Sequence, residues 1–181
     1  MIVFISGGAK NGKSSLAQEL ALRLARGGKH YYVATMIPVD QEDRDRIRRH
    51  VEDRAGLGFE TLECGRNLPA CLERADRDAA FLLDSATALL MNELFDPERN
   101  YEMDPAAPER CREGLLEFVR SVKNAVVVSD YIYSDAQRYE EVTETYRKAL
   151  ADIDRSLAAV SDTVIEVSAG RVITHKGVLP V

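Results

Sequence analysis

The hydrophobic positions of this chain follow two alternating spacings. Short runs that are largely apolar at successive positions occur at 2–5, 30–34, 80–83 and 125–128, and apolar residues three or four positions apart occur between them. The first spacing is typical of strands covered on both faces of a parallel sheet, and the second is typical of amphipathic helices. The alternation predicts an α/β fold with a mostly parallel sheet and helices on both faces.

Individual elements follow from this spacing and from the turn residues between them. Gly27 and Gly28 are expected to end the first helix, which begins at Lys13. Ala169 and Gly170 separate the last two strands and predict an antiparallel edge hairpin. Without an internal repeat or domain boundary, a single domain over 1–181 is expected. The expected strands are 2–6, 30–34, 59–63, 80–84, 125–130, 163–167 and 171–175, and the expected helices are 13–26, 40–54, 68–75, a helix through 91–95, 111–122 and 135–161.

One predicted helix, 40–54, is almost entirely charged. Ile47 and Val51, four residues apart, are nearly all that it offers to a hydrophobic core. Such a helix is expected to lie on the surface or beside a cleft.

Composition narrows the class of protein. The formal net charge of −6 argues against a general nucleic-acid binder, which normally presents a basic face. No apolar run approaches the roughly 20 residues of a membrane span, and Met1 leads directly into a strand without a signal-peptide pattern. Cys64, Cys71 and Cys111 are scattered, and we interpret them as ordinary cytosolic thiols. A soluble, cytoplasmic protein is predicted.

A glycine-rich loop joins the first strand to the first helix. It runs from Gly7 through Gly8, Ala9, Lys10, Asn11 and Gly12 to Lys13 and Ser14, in the form G-x-x-x-x-G-K-S. The glycines allow backbone N–H groups to turn around an anion, and the helix N-terminus adds partial positive charge. Lys13 can reach the outer phosphates and the Ser14 hydroxyl can hold Mg²⁺. The loop predicts that the chain binds a nucleoside triphosphate.

Two further residues have more than one interpretation. Asp84 ends a buried strand, where a P-loop enzyme keeps a second carboxylate that organises Mg²⁺, but Asp84 or Ser85 is also a candidate N-cap of the next helix. His50 lies on the charged helix 40–54, where a solvated surface position is the ordinary expectation. If that helix faces the phosphates, a neutral His50 can instead attack an α-phosphorus and carry the nucleotide as a phosphoramidate.

Several motifs together resemble one family, the bifunctional adenosylcobinamide kinase / adenosylcobinamide-phosphate guanylyltransferases of cobalamin biosynthesis. The family pattern T-G-G-A-R-S-G-K-S is similar to Ser6–Ser14, and Y-I-A-T is similar to Tyr32–Thr35. The following D-x-E and R-I-x-x-H appear as Asp40–Glu42 and Arg46–His50 without a gap. The pattern D-C-x-T-x-x-x-x-N is similar to Asp84–Asn92.

This resemblance implies a function and a set of site residues. Adenosylcobinamide would be phosphorylated from ATP or GTP, and GMP would pass from GTP through His50 to the phosphorylated corrinoid. A P-loop NTPase-like (RecA-like) fold and a homo-oligomer, such as a trimer, are implied. The glycine-rich loop would bind the triphosphate, with Lys13 and Asp84 as catalytic groups. Ser14 and Asp84 would hold Mg²⁺. We also assign Asp40, Glu42 and Arg46 to positioning His50, and Ser15, Thr35 and Glu63 to nucleotide binding.

The second half of the chain departs from the family pattern. Where the family has T-N-E-V-G-x-G-x-x-P after its last central strand, this chain has Ser129–Arg138, with Tyr131 in place of the glutamate and with Tyr133 and Asp135 in place of the two glycines. This departure leaves two alternatives to the family's function. In one, the protein is a different small-molecule kinase that forms no covalent nucleotide. In the other, it is a non-catalytic nucleotide-binding relic of the family.

Overall fold

The computed structural model describes residues 1–180, which form one seven-stranded sheet with helices packed against it. Two short 3₁₀ helices, Leu68–Arg74 and Pro97–Arg99, join the larger elements. Among residues 1–180, no helix is long and apolar enough to cross a membrane. The larger elements are β1 Ile2–Gly7, α1 Lys13–Ala25, β2 His30–Ala34, α2 Gln41–Asp53, β3 Glu60–Glu63, β4 Ala80–Asp84, α3 Ala86–Leu94, α4 Ala107–Ser121, β5 Asn124–Asp130, α5 Glu141–Val160, β6 Thr163–Ser168 and β7 Arg171–Lys176.

The sheet order is β3-β2-β4-β5-β1-β6-β7. The pairs among β1 to β6 are parallel, and β7 alone runs antiparallel, beside β6. The turn between β6 and β7 uses Ala169 and Gly170, both with positive φ, as a two-residue hairpin of type I′ requires. The predicted mostly parallel sheet with an antiparallel edge hairpin is confirmed.

Successive residues of the central strands face opposite sides of the sheet and fill two cores. On β5, Val126 and Val128 pack with Leu20 of α1, whereas Val127 packs on the other side with residues such as Phe118 of α4. Both faces of the central strands are therefore buried from solvent, and for this reason their sequences are apolar at successive positions rather than at alternate ones. Helices cover both faces, as predicted.

Two helices begin several residues away from their predicted starts. Helix α4 begins at Ala107 rather than at Cys111, because Pro108 fits the first turn of a helix, where its missing N–H is not needed. Helix α5 begins at Glu141 rather than at Asp135, and the intervening residues 131–140 form no helix or strand.

Arg147 holds the 131–140 segment in this irregular conformation. Its buried guanidinium donates hydrogen bonds to the carbonyl oxygens of Ile132, Asp135 and Gln137, at 3.1, 3.3 and 3.1 Å. It also pairs with the carboxylates of Asp135 and Glu144, at 2.9 and 2.7 Å. A helix that began at Asp135 would use the carbonyl groups of Asp135 and Gln137 internally, but these are bonded to this side chain, so the helix starts later.

A buried carboxyl group, Asp154 of α5, lies beneath the same segment. Tyr133 donates a hydrogen bond to its Oδ2 at 2.8 Å, whereas Oδ1 is buried without a hydrogen-bond partner. Burial, with a smaller contribution from the charge of Asp130, raises the pKa of Asp154 to about 6. The folded protein therefore holds this proton more tightly than the unfolded chain does.

Replacing Arg147 by alanine is expected to lower the free energy of unfolding by roughly 3 kcal/mol, because two carboxylates and three carbonyl groups lose their donor. Chemical denaturation measures this loss, and limited proteolysis should show new cleavage within 131–140. Arg147→Lys, which keeps the charge but not the fork of donors, should lose less. Equal stability of Arg147→Ala and the wild type would contradict the role of Arg147.

Asp154→Asn is expected to stabilise the protein increasingly as the pH rises. The pKa of Asp154 is near 6 in the folded protein, against an ordinary value of 3.8. Ionisation of Asp154 therefore lowers the free energy of unfolding as the pH rises from about 3.8 to above 6, by about 3 kcal/mol in total. Between about pH 5 and about pH 8 the advantage of Asp154→Asn should therefore grow by about 1 kcal/mol in denaturation experiments. The exposed neighbour Asp152→Asn is the control, and a pH-independent difference for Asp154→Asn would contradict the assignment.

Candidate active site

The glycine-rich loop follows β1 and has the backbone that an anion cradle needs. Gly12 has a φ of 86° and precedes α1 without any side-chain cap, so the first N–H groups of the helix are not capped by a side chain. Lys10 also has a positive φ, of 58°. Gly7 is required for a different reason, because a Cβ there would clash with the carbonyl oxygen of Val167 in β6. The loop thus depends on close strand packing as well as on turn geometry.

Lys13 is buried and held by two oxygen atoms. Its Nζ donates to the carbonyl oxygen of Gly8 at 2.6 Å and pairs with Oδ1 of Asp130 at 2.6 Å. Its side chain is only 5% exposed. The ammonium group is therefore positioned at the mouth of the loop, beside the carboxyl ends of β1 and β5.

A pocket of about 320 Å³ opens over the loop. We call it the phosphate pocket. Positive groups on the loop and on α2 line it together with four carboxylates, so its charge is nearly balanced. Its predicted members are Ala9, Lys10, Asn11, Gly12, Lys13, Ser14, Ser15, Glu42, Arg46, His50 and Asp84, and its further members include Arg49, Asp53 and Asp130.

Asp84 at the end of β4 points its carboxylate to this pocket. Of the two N-cap candidates, Ser85 caps α3 by accepting the Ala88 N–H at 3.2 Å, which leaves the Asp84 side chain for other contacts. Tyr32 donates to Oδ2 of Asp84 at 3.1 Å. Burial, with the nearby charge of Asp84, raises the pKa of Tyr32 well above its usual range, so the hydroxyl stays protonated as a donor.

Helix α2 lies over the phosphate pocket and has no buried residue, as its charged sequence predicts. It brings His50 to the site, where Nδ1 lies 3.7 Å from Oδ2 of Asp84. This distance is too long for a hydrogen bond but close enough for an ion pair when the imidazole is protonated. The imidazole side chain is 27% exposed, so His50 is a partly shielded residue at a carboxylate rather than a fully solvated one.

Arg54 connects α2 to the sheet beneath it. It donates to the carbonyl oxygen of His50 at 2.8 Å, and its guanidinium lies 4.0 Å from the centroid of the Tyr32 ring. Because Tyr32 binds Asp84, the main chain of His50 and the carboxylate of Asp84 are linked through two stacked side chains. This contact compensates for the small apolar face of α2.

A second pocket, of about 290 Å³, lies on the far side of His50. We call it the apolar pocket, because Met36, Ile47 and Val51 contribute to its walls. Glu63, at the end of β3, also lines this pocket and not the phosphate pocket. Arg46, His50 and Asp84 line both pockets and form the boundary between them.

Two predicted residues, Thr35 and Asp40, are not in the walls of these pockets. Thr35 is fully buried, and its hydroxyl donates to the carbonyl oxygen of Ser85 at 2.9 Å and accepts the Ser85 N–H at 2.6 Å. Asp40 is the N-cap of α2 and accepts the Asp43 N–H at 2.8 Å. Both side chains are engaged with the backbone, so they position the ends of β4 and α2 instead of facing a ligand.

Asp130, Arg54 and Tyr32 are site residues that were not among the predicted ones. Asp130 ends the buried strand β5, just as Asp84 ends β4, and the same reasoning from strand ends would have identified it. The stacked contact of Arg54 and Tyr32 has no sequence signal, because it depends on how α2 packs across β2.

The residues assigned to Mg²⁺ fit that ion. The Ser14 hydroxyl and the Asp84 carboxylate line the same pocket and are hard oxygen donors. Mg²⁺ is typically bound by one or two such protein groups together with substrate phosphates. Within residues 1–180 no cluster of three or more histidine, cysteine or acidic side chains forms a closed metal site.

Solved structures with the same fold define the class of this protein. An ATPase from the type III secretion system of pathogenic bacteria superposes with a TM-score of 0.54 at 9% identity, over 92% of this chain and 51% of that one. The Pyrococcus horikoshii OT3 protein PH0250 gives 0.52 at 11% identity, over 98% and 86%. A further solved ATPase domain gives 0.51 at 10% identity, over 97% and 76%. The fold is that of P-loop NTPases.

Sequence comparison identifies the family within this class. The sequence model of the cobinamide kinase / cobinamide phosphate guanyltransferase family matches residues 3–175, and the chain belongs to that family. It is 28% identical over 183 aligned positions to the bifunctional adenosylcobalamin biosynthesis protein CobU of Salmonella typhimurium strain LT2, covering 94% of this chain and 97% of that protein.

Proposed function

We propose that this protein phosphorylates adenosylcobinamide and then transfers GMP from GTP to the product through a guanylyl-histidine intermediate. The observation that carries the proposal is the position of His50, which borders the phosphate pocket of a P-loop and has a carboxylate 3.7 Å from its Nδ1. Family membership supports the substrate class. The protein would act on two small molecules, a nucleoside triphosphate and a corrinoid.

In the phosphoryl-transfer half, the triphosphate lies in the loop Gly7–Ser15 with its charge opposed by Lys13 and the N-terminus of α1. The acceptor hydroxyl oxygen forms a bond to the γ-phosphorus, and the bond from that phosphorus to the β–γ bridging oxygen breaks. The electron pair stays on the nucleoside diphosphate, where Lys13 balances the developing charge. Bound Mg²⁺, held by Ser14 and Asp84, would supply further charge neutralisation.

In the guanylyl-transfer half, His50 is the nucleophile. In its neutral form, His50 uses an imidazole nitrogen lone pair to attack the α-phosphorus of GTP. The α–β bridging bond breaks and pyrophosphate leaves. A phosphate oxygen of the phosphorylated corrinoid then attacks the same phosphorus, and the P–N bond breaks with its electron pair returning to His50. Asp84 stabilises the positive charge on the imidazole while GMP is attached.

The residues around His50 place it for this step. Arg46 lines the phosphate pocket and can pair with phosphate oxygens, and Glu42, one turn earlier on α2, can orient Arg46. Asp40 contributes by fixing the start of α2. Thr35 contributes by holding the end of β4, from which Asp84 projects.

The apolar pocket is suited to the guanine base. Its walls offer apolar surface for a planar ring, and Glu63 supplies a carboxylate at the pocket. Guanine presents adjacent N–H donors that a carboxylate can accept, whereas adenine has no such pair. Glu63 therefore favours GTP for the covalent step.

Intact mass after incubation with GTP and Mg²⁺ is the test. The wild type should gain the mass of one GMP, the adduct should be lost in acid because a P–N bond is acid-labile, and His50→Ala should gain nothing. His175→Ala, which removes an exposed histidine of β7, is the matched control and should form the adduct. Phosphorylated cobinamide without any adduct would instead indicate a plain kinase, and nucleotide binding without turnover would indicate a non-catalytic relic.

A further inference from the structure

A third pocket, of about 300 Å³, adjoins the phosphate site and is lined mainly by α3 and by residues between 36 and 46. We call it the Thr87 pocket, and its walls include Met36, Thr87, Met91 and Tyr146. Asp130 lines the Thr87 pocket and the phosphate pocket but not the apolar pocket. His50 shows the opposite pattern, because it lines the phosphate and apolar pockets but not the Thr87 pocket. His50 and Asp130 thus each border the phosphate pocket and one different neighbouring pocket.

The backbone of Asp130 is fixed on both sides. Its own N–H donates to Oγ1 of Thr87 at 2.8 Å, and the next N–H, of Tyr131, donates to the carbonyl oxygen of Gly7 at 3.2 Å. The strand end is therefore tied to α3 and to the glycine-rich loop together. A group held this rigidly has the preorganisation that a proton transfer requires.

The partner of Asp130 shows which phosphate it would face. Its Oδ1 lies 2.6 Å from Nζ of Lys13, the group that reaches the outer phosphates of a bound triphosphate. Asp130 therefore lies at the γ-phosphate end of the site. A carboxylate with a side chain only 21% exposed costs binding energy beside a triphosphate, because like charges repel strongly where water is scarce. A carboxylate at such a position is therefore expected to take part in the reaction.

We propose that Asp130 is the catalytic base of the phosphoryl-transfer half, accepting the proton of a corrinoid side-arm hydroxyl that enters through the Thr87 pocket. This inference rests on the proposed function and adds to it a residue and an entry side for the acceptor. His50 and Asp130 then serve the two half-reactions within one triphosphate site, each at the border with a different neighbouring pocket.

The proton and electron changes balance without any further reactant. When the triphosphate binds, Lys13 exchanges the carboxylate for phosphate oxygens, and Asp130 is free to accept. The acceptor O–H gives its proton to Oδ of Asp130, the oxygen bonds the γ-phosphorus, and the bridging bond to the β-phosphate breaks. The nucleoside diphosphate keeps the electron pair, and Asp130 later releases the proton to water.

The size and walls of the Thr87 pocket define what it admits. About 300 Å³ accommodates an aminopropanol arm but not a corrin ring, so the ring must stay outside. Met36, Met91 and Tyr146 offer apolar contact for the carbon chain of the arm.

The test compares the two half-reactions in Asp130→Asn, which keeps the size of the side chain and removes the base. Single-turnover phosphorylation of adenosylcobinamide with ATP and Mg²⁺ should slow by about 100-fold or more. Formation of the GMP adduct with GTP should slow far less, so the ratio of the two rates should change by at least about tenfold. The adduct also reports that the variant is folded, because it requires an assembled site.

Asp53→Asn is the matched control, because Asp53 lines the phosphate pocket but not the Thr87 pocket. It should change both rates in the same proportion. An equal loss of both rates in Asp130→Asn would show that Asp130 acts only by holding Lys13, and would overturn the inference, as would an unchanged rate of phosphorylation. A wild type that does not phosphorylate adenosylcobinamide would overturn the proposed function itself, and the inference with it.

Discussion

Parallel strand pairing is the constraint on which the site depends. Because β1, β5 and β4 run in the same direction and lie side by side, their carboxyl ends come together at one edge of the sheet. The glycine-rich loop, Asp130 and Asp84 are the residues at those ends, in that order. β5 lies between β1, which leads into the loop, and β4, which ends at Asp84. Asp130 at the end of β5 is therefore nearer to the loop than Asp84 is. The phosphate pocket is the space that these strand ends enclose.

The charged helix α2 covers the phosphate pocket but packs little against the hydrophobic core. It contributes no buried residue, and the stacked contact of Arg54 with Tyr32 links its C-terminal end to the sheet. An element with so little buried apolar surface belongs to the low-stability part of a protein, which can move without unfolding the rest. His50 is therefore carried by a helix that has no buried residue.

Sequence patterns predicted much of the site because they act through local chemistry. The form G-x-x-x-x-G-K-S requires a particular backbone, and the structure has positive φ at Gly12 and an α1 that begins at Lys13. Predictions were weaker where a residue's partner is distant in sequence. Thr35 was assigned to the nucleotide, but its hydroxyl is occupied by Ser85, fifty residues away. Asp130 was passed over because its pairing with Lys13 becomes apparent only when β5 lies beside β1.

The sequence by itself determined the sheet, its covered faces, the edge hairpin and the phosphate loop, since periodicity and turn residues are properties of neighbouring positions. Only the tertiary structure decided where α5 begins, because Arg147 binds carbonyl groups that a regular pattern would assign to the helix. It also decided that Ser85 rather than Asp84 caps α3, and that His50 lies at a carboxylate. These outcomes depend on distances between side chains far apart in the chain, which local spacing does not encode.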